Sequence, residues 1–411
     1  MKGERMHGST NRREFFASIG GSAVGTMLRY ATPTEAFEVA ETEYLFSPGL
    51  IYFSTGTLGP CSRHVVEQTV RAWYELETNP HAMAYGEGKT LVAAEGTRER
   101  AAALLGCSSS EIIITRSTTD GMNAIAQGLR LERGQRVLLT DQEHGGGKSC
   151  WEHLAQREGI KIDQIRIPAG ENDAPAILDR FAAAITRDTK VISVSHVLSS
   201  TGFRMPIAEI SALAKRHGIL CVVDGAQAVG AIDVNLTALG CHAYATSGHK
   251  WLMAPKGTGL LYLSRDLGSL IEPMQIQGGR TYYSASSGVG NLPGVVGLGA
   301  AIESIGAQGG MARIESHNVA LRNRLYAGLQ RLPRVHGVSA AAGSGATPIV
   351  TFTLPDAIDS RIMVRKLHDE HRLVVKMVPK EWMNGIRLSP HIFNTTVEVD
   401  SALEILRGEL S

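Results

Sequence analysis

The chain has 411 residues, 43% hydrophobic and 20% charged, with 41 Lys and Arg against 40 Asp and Glu and a formal net charge of +1. That length allows two or three domains, each burying its own core. The apolar fraction excludes disorder, and the balanced charge excludes a bulk electrostatic binder of nucleic acid. Glycine is abundant, 45 residues or about 11% against a usual ~7%, with no G-X-Y period, which puts it in turns and ligand-approaching loops.

The chain opens with "STNRREFFASIGGSAVGTMLRY", in which Arg12-Arg13 precede Phe15-Phe16 and a short apolar run to Leu28. A membrane span needs ~20 apolar residues, so no membrane insertion is expected. The arrangement resembles a twin-arginine export signal, with an incidentally basic tail as the alternative. It implies handling by the twin-arginine export machinery and a periplasmic or other extracytoplasmic location; a cytoplasmic location is the alternative. Residues 1–43 are then signal and linker. Cys61, Cys107, Cys150, Cys221 and Cys241 form no C-x-x-C pair and no cluster with metal-ligand spacing, so no metal is expected.

From about residue 90, short β-branched runs alternate with helical stretches. Strands are expected at 111–115, 136–140, 161–167, 190–196, 219–224, 242–247 and 259–263, with helices at 91–105, 120–130, 148–158, 174–186 and 206–217. Near-continuous apolar strands separated by helices indicate an α/β fold with a mostly parallel sheet covered on both faces. After about 312 the pattern becomes a long helix, strand 348–354, helix 358–370, strands 373–378 and 385–388, and a final helix. The expected division is a large domain over 44–310 and a small α+β domain over 311–411.

The stretch 219–263, "ILCVVDGAQAVG…ATSGHKWLMAPKGTGLLYL", carries the most chemistry. Asp224 closes an apolar strand, where open α/β sheets bind ligands, and Lys250 follows the next strand in apolar, Gly-rich surroundings. Either alone is commonly structural. Together they suit pyridoxal phosphate (PLP), which needs a lysine for a Schiff base and a carboxylate to keep its ring nitrogen protonated. In "ITRSTTDGMNAI" (114–125) a strand runs through hydroxyls into a helix, a phosphate-binding arrangement; a plain Thr N-cap with Asp in the first turn accounts for the same residues. The "GGGKS" of 145–149 lacks the glycine a P-loop needs at 142, which is Gln.

These motifs resemble the class V aminotransferase group of fold-type I PLP enzymes, which includes cysteine desulfurases, kynureninase-like enzymes and isopenicillin-N-epimerase-like proteins. The resemblance spans about 50–405 and implies that fold, with PLP as cofactor and a seven-stranded large-domain sheet. It implies that Lys250 forms the Schiff base, Asp224 pairs with the ring nitrogen and Gln227 bonds the ring's phenolic oxygen. Thr118, Thr119, Ser247 and His249 match phosphate-binding positions. His144, in "DQEHGGGKSCW", matches the residue stacking on the cofactor face, and is grouped with Lys250 as catalytic. Arg387, in "GIRLSPH", matches the arginine that grips the substrate carboxylate, with Thr57 of "STGTLGP" lining the pocket beside it. A homodimer and a small amino-acid-type substrate are also implied.

Departures from the group narrow the reaction. The segment "LVVKMVPKEWMNGIR" holds no cysteine where desulfurases carry a mobile-loop cysteine, so persulfide transfer by that route is not expected. "SHVLSSTG" lacks the usual polar residue, leaving Ser199 or Ser200, and Val289 replaces a phosphate-binding Thr of desulfurases. The isopenicillin-N-epimerase-like branch fits best, with deprotonation at the alpha carbon of a free or peptide-linked amino acid by Lys250. His144, Tyr282, Tyr283 and His391 are candidates for an opposite-face acid. The alternatives are a PLP-dependent C–S lyase or aminotransferase acting on an amino acid in periplasmic or secondary-metabolite maturation, such as that of siderophores, and a non-catalytic binding protein on the same fold.

Overall fold

A computed structural model describes residues 43–81, 89–269, 271, 290–333, 335–341, 343, 345–380 and 382–411. Arg12, Arg13 and the rest of the expected export segment lie outside the described residues, as do Tyr282, Tyr283 and Val289.

The elements run β1 (Ile51–Tyr52), α1 (Arg63–Thr78), α2 (Lys89–Leu105), β2 (Ile112–Thr115), α3 (Thr118–Gly128), β3 (Arg136–Thr140), α4 (Gly145–Glu158), β4 (Lys161–Ile165), α5 (Ala174–Ala184) and β5 (Thr189–Ser195). They continue with α6 (Ile207–Arg216), β6 (Leu220–Asp224), α7 (Leu236–Leu239), β7 (Ala243–Ser247), β8 (Gly259–Leu263), α8 (Leu292–Ala307), α9 (Met311–Leu329), β9 (His336–Gly337) and β10 (Val350–Thr353). The last are α10 (Ser360–His371), β11 (Leu373–Val374), β12 (Lys376–Val378), β13 (Gly385–Leu388) and α11 (Thr396–Leu410).

The large sheet has seven strands in the order β2-β8-β7-β6-β5-β3-β4. All pairings are parallel except those of β8, which is antiparallel to both β2 and β7. The reason is local: the β7–β8 connection contains no helix, and a parallel return needs a crossover of a dozen or more residues. Alternation along the strands divides two cores. Leu138, Cys221 and Val223 face one side and Val137, Leu139 and Val222 the other, as the two-residue period of a strand requires.

The smaller body has four antiparallel strands in the order β12-β13-β10-β9, with α9, α10 and α11 around a separate core. The expected strand 348–354 forms as β10 only after Pro348, and the stretch 373–378 is broken into β11 and β12, which belong to different sheets. β11 pairs in parallel with β1, and Phe53 is buried in this second core. The segment before α1 is thereby anchored to the C-terminal body while its continuation reaches the large sheet. Among the described residues no helix is long and apolar enough to cross a membrane.

Candidate functional site

β2, β3, β5, β6 and β7 all point the same way, so their C-terminal ends lie along one edge of the sheet. Such edges are where open α/β sheets bind ligands. The site residues leave from these ends: Thr118 after β2, His144 after β3, Asp224 at the tip of β6, and Ser247 through Lys250 at the tip of β7.

Lys250 sits in a tight turn closed by Met253 N–H donating to its carbonyl at 3.0 Å, with Met253 at φ 53°. A non-glycine residue in that region is uncommon and is held by its surroundings. The loop bearing Thr57 lies directly on this turn, with Gly59 N–H donating to His249 O at 2.8 Å. A Cβ on Gly59 would lie 1.9 Å from Lys250 O, so only glycine allows the approach. Burial pulls the Lys250 ammonium down to about 8; Asp224 opposes this, while Arg387 and Lys376 add to it.

Asp224 is buried, with one carboxylate oxygen accepting Ala226 N–H at 2.9 Å. Burial raises its carboxyl, against the Ala226 N–H, Lys250 and His144, which hold it down. The first turn of α4 closes over it: a Cβ on Gly147 would lie 2.6 Å from Asp224 Oδ2. His144 is the N-cap of α4, its Nδ1 accepting Gly146 N–H at 3.0 Å. The neutral ring is therefore protonated on Nε2, and the exposed imidazole is fixed in orientation. Burial and then Lys250 lower its pKa.

α3 begins beside α4. Its N-cap is Ser117, whose hydroxyl accepts Asp120 N–H, leaving Thr118 and Thr119 as the first helical residues. Thr118 N–H donates to Ser247 Oγ at 3.0 Å, and the two hydroxyls are 2.8 Å apart. Asp120 is turned onto Arg116, which removes its charge from the helix mouth. Thr119 Oγ1 lies 2.5 Å from where a Cβ on Gly146 would stand, so both helix N-termini converge here. His249 Nδ1 is buried without a partner in the same turn as Lys250.

Gln227 is clamped at both ends. Its Nε2 donates to Gly56 O and its Oε1 accepts Trp251 Nε1–H, each at 2.8 Å. Indole nitrogen is a donor only, which fixes the amide orientation. Arg387, on β13, donates from Nη1 to Ser199 O at 2.8 Å and from Nη2 to Thr57 Oγ1 at 2.9 Å. Its Nε is buried without a partner, and burial alone brings the guanidinium down to about 10.

Several readings change. His391 does not face the site: it is buried, its Nε2 donates to Trp251 O at 3.0 Å and its Nδ1 accepts Ile392 N–H, so it braces the turn after Lys250. Ser200 is bonded to Gln142, whereas Ser199 meets Arg387 through its carbonyl. Sequence reasoning missed Glu143, which is buried between Thr140 Oγ1 and Ser195 Oγ, both donating at 2.6 Å. Burial raises its carboxyl to about 7, with the Asp224 charge adding to the rise. Its signal is weaker than that of Asp224, which closes its strand, because Glu143 lies three residues past the end of β3. All five cysteines are free thiols, and Cys150, Cys221 and Cys241 are buried.

The aminotransferase class-V family model matches residues 51–401. The chain belongs to the class V aminotransferase family. It is 30% identical over 405 residues to isopenicillin N epimerase of Amycolatopsis lactamdurans, covering 92% of this chain and 99% of that protein. It is 26% identical over 380 residues to a probable cysteine desulfurase of Methanothermobacter thermautotrophicus, covering 87% and 94%. The solved complex of the cystine C-S lyase C-DES with its product cysteine persulfide superposes with a TM-score of 0.80 at 26% identity, covering 88% of this chain and 98% of that one. A variant of the same lyase carries glycine covalently linked to the PLP cofactor and superposes at 0.79, with 25% identity and coverage of 88% and 97%.

The family is PLP-dependent, and the residues present suit that cofactor. A buried carboxylate, a lysine amine lowered toward neutrality, and hydroxyls, helix N-termini and an unpartnered buried imidazole nitrogen at one strand edge form a donor set for a phosphorylated pyridinium.

Proposed function

We propose that the protein acts at the alpha carbon of a free or peptide-linked amino acid, in the manner of the isopenicillin N epimerase branch. The observation that carries this is the coupled pair of Lys250 and Asp224 at the ends of adjacent strands, with the cationic Arg387 acting on the same amine. Bound here, PLP supplies an electron sink for negative charge developing at the alpha carbon.

The chain's own groups do the rest. Thr118, Thr119, Ser247 and His249 would hold the phosphate through hydroxyls, N–H groups and the imidazole. Asp224 would keep the ring nitrogen protonated, and the second N–H of the Gln227 amide would serve the phenolic oxygen. With its pKa near 8, Lys250 has a substantial neutral fraction, so its amine would carry the cofactor and take the alpha proton. Arg387 holds the substrate carboxylate, with Thr57 fixing one arm of its fork. His144 presents a neutral ring to the cofactor face. No cysteine follows Cys241, so no cysteine of the C-terminal body takes a sulfur atom.

Lys250→Ala tests this: the visible absorbance of the lysine-bound cofactor is lost while the fold is kept. A variant retaining that absorbance overturns the reading. C–S bond cleavage is the second reading, favoured by the superposition on the cystine lyase. Keto acid and ammonia from a sulfur amino acid indicate it, whereas D/L inversion alone indicates epimerisation. The proposal includes a homodimer: α1 exposes Val70, Trp73 and Tyr74, an apolar strip that a second copy would cover. A one-chain mass by light scattering removes that part.

A further inference from the structure

We propose that the groove between α10 and the β11–β12 edge binds an extended acidic segment of a partner polypeptide, two of whose carboxylates meet Arg361 and Arg365. This surface lies outside the site described above and is independent of the reaction carried out there.

The helical period sorts the residues of α10 by direction. Met363 and Leu367 turn inward to the second core, and on one flank Lys366 pairs with Glu409 of α11 at 2.6 Å. The other flank carries Arg361, Arg365 and His368, spaced i, i+4 and i+7, which form one stripe. Among the described residues neither guanidinium has an acidic partner. Asp369, the acid one turn on from Arg365, is bonded to His368 Nδ1 at 2.7 Å. Like charges one turn apart weaken a helix, so helix stability does not account for the stripe.

The stripe walls a groove of about 360 Å³ whose floor is Val364, Val374 and Met377. β12 is the end strand of its sheet, so one of its edges pairs with no other strand there. An edge of this kind accepts an added strand through its row of N–H and C=O groups. The run from Leu373 to Lys380 contains no acid, so nothing along this wall competes for the guanidiniums. Lengths match as well as charge. From Arg361 to His368 a helix rises about 10 Å, which is the length of about three strand residues. Arg361 and Arg365 are about 6 Å apart along that axis, and alternate residues of a strand are about 7 Å apart. An added strand with acids at alternate positions therefore sets both carboxylates against the two arginines. The methylene stems of those acids then cover the apolar floor. Arginine suits this role because its planar fork matches a carboxylate in two hydrogen bonds.

The test titrates full-length holoenzyme into two labelled peptides, Thr-Glu-Val-Glu-Val-Thr and its neutral counterpart Thr-Gln-Val-Gln-Val-Thr, and follows fluorescence anisotropy at low and at physiological ionic strength. The acidic peptide should bind about 10-fold more tightly than the neutral one, with the preference shrinking as salt rises. Replacing Arg361→Ala and Arg365→Ala together brings the ratio to about one, whereas Arg187→Ala, at an exposed arginine of the large body, leaves it unchanged. Cofactor absorbance stays at the wild-type level in each variant, which shows that the fold is kept. A wild-type ratio near one, or a ratio unchanged in the double variant, overturns the proposal. Displacement of the peptide by an equal concentration of succinate overturns it too, because the groove then takes any small dianion. A lower assembly mass by light scattering for Arg361→Glu with Arg365→Glu also overturns it, because a second copy of the chain is then the occupant.

Discussion

Glu143→Gln removes a buried acid whose proton is tied to folding. In the native protein burial raises this carboxyl from an ordinary 4.5 to about 7. Between those values the unfolded chain has released its proton and the native chain still holds it. Stability from this group is therefore complete below pH 4.5 and declines as pH rises to about 7. At about 1.4 kcal/mol per pH unit, the interval amounts to about 3 kcal/mol. The amide keeps the local bonds, since its oxygen can accept from Thr140, whose hydroxyl already takes Gln142 N–H, and its N–H can donate to Ser195. Two buried histidines work in the opposite sense. His196 is pushed down to about 3 and His391 to about 4, so their neutral burial makes stability rise with pH up to about 6.5. The measurement is accordingly a difference: urea unfolding of wild-type and variant apoprotein from pH 4.5 to 8. The wild-type advantage should shrink by about 3 kcal/mol over that range, with the histidine contribution cancelling. A difference that stays flat with pH means Glu143 is already ionised when folded and refutes the argument.

The other expectations concern the cofactor. Gly147→Ala puts a methyl 2.6 Å from Asp224 Oδ2, so the carboxylate must turn away. Cofactor affinity should fall about 10-fold or more while circular dichroism stays native, because alanine favours the helix by about 1 kcal/mol over glycine; undiminished affinity would show that Asp224 moves freely. Because the Lys250 amine is lowered to about 8, cofactor uptake by apoprotein should rise about tenfold per pH unit below that value and level off above it. Uptake that keeps climbing toward pH 10.5 would mean the amine is not depressed.

Where function was legible in the sequence, the signal was local. An Asp closing the apolar run of β6 and a Lys following β7 announce a ligand edge because strand ends converge there. The strands themselves were readable for the same reason, to within a residue or two. What escaped depends on contacts between distant residues. Glu143 reads as an exposed loop acid until Ser195, 52 residues on, donates to it. His391 reads as a candidate acid until Trp251, 140 residues away, takes its ring nitrogen. Lys376 reads as one more surface charge until β12 and β13 pair in one register and it bears on Lys250. The antiparallel β8 was present in the sequence as an absence, the missing crossover helix, which strand composition alone does not weigh.

The protonation of Glu143 bears on more than stability. Asp224 must stay anionic to serve a cationic ring nitrogen, yet it is buried and its own burial opposes that charge. A second carboxylate nearby, if ionised, would raise it further, and the Asp224 charge acts on Glu143 in the same way. The two acids cannot both be charged cheaply, and their hydrogen bonds decide which one yields. Asp224 takes a backbone N–H and faces Lys250 and His144, whereas Glu143 has two hydroxyls, which serve a neutral acid nearly as well because either can turn to accept. The proton therefore rests on Glu143, and the net charge at the strand edge stays positive. That local excess of cations, in a chain whose formal net charge is only +1, is what a phosphate and a carboxylate need. An acid that appears to burden the site thus keeps its neighbour charged by giving up its own charge.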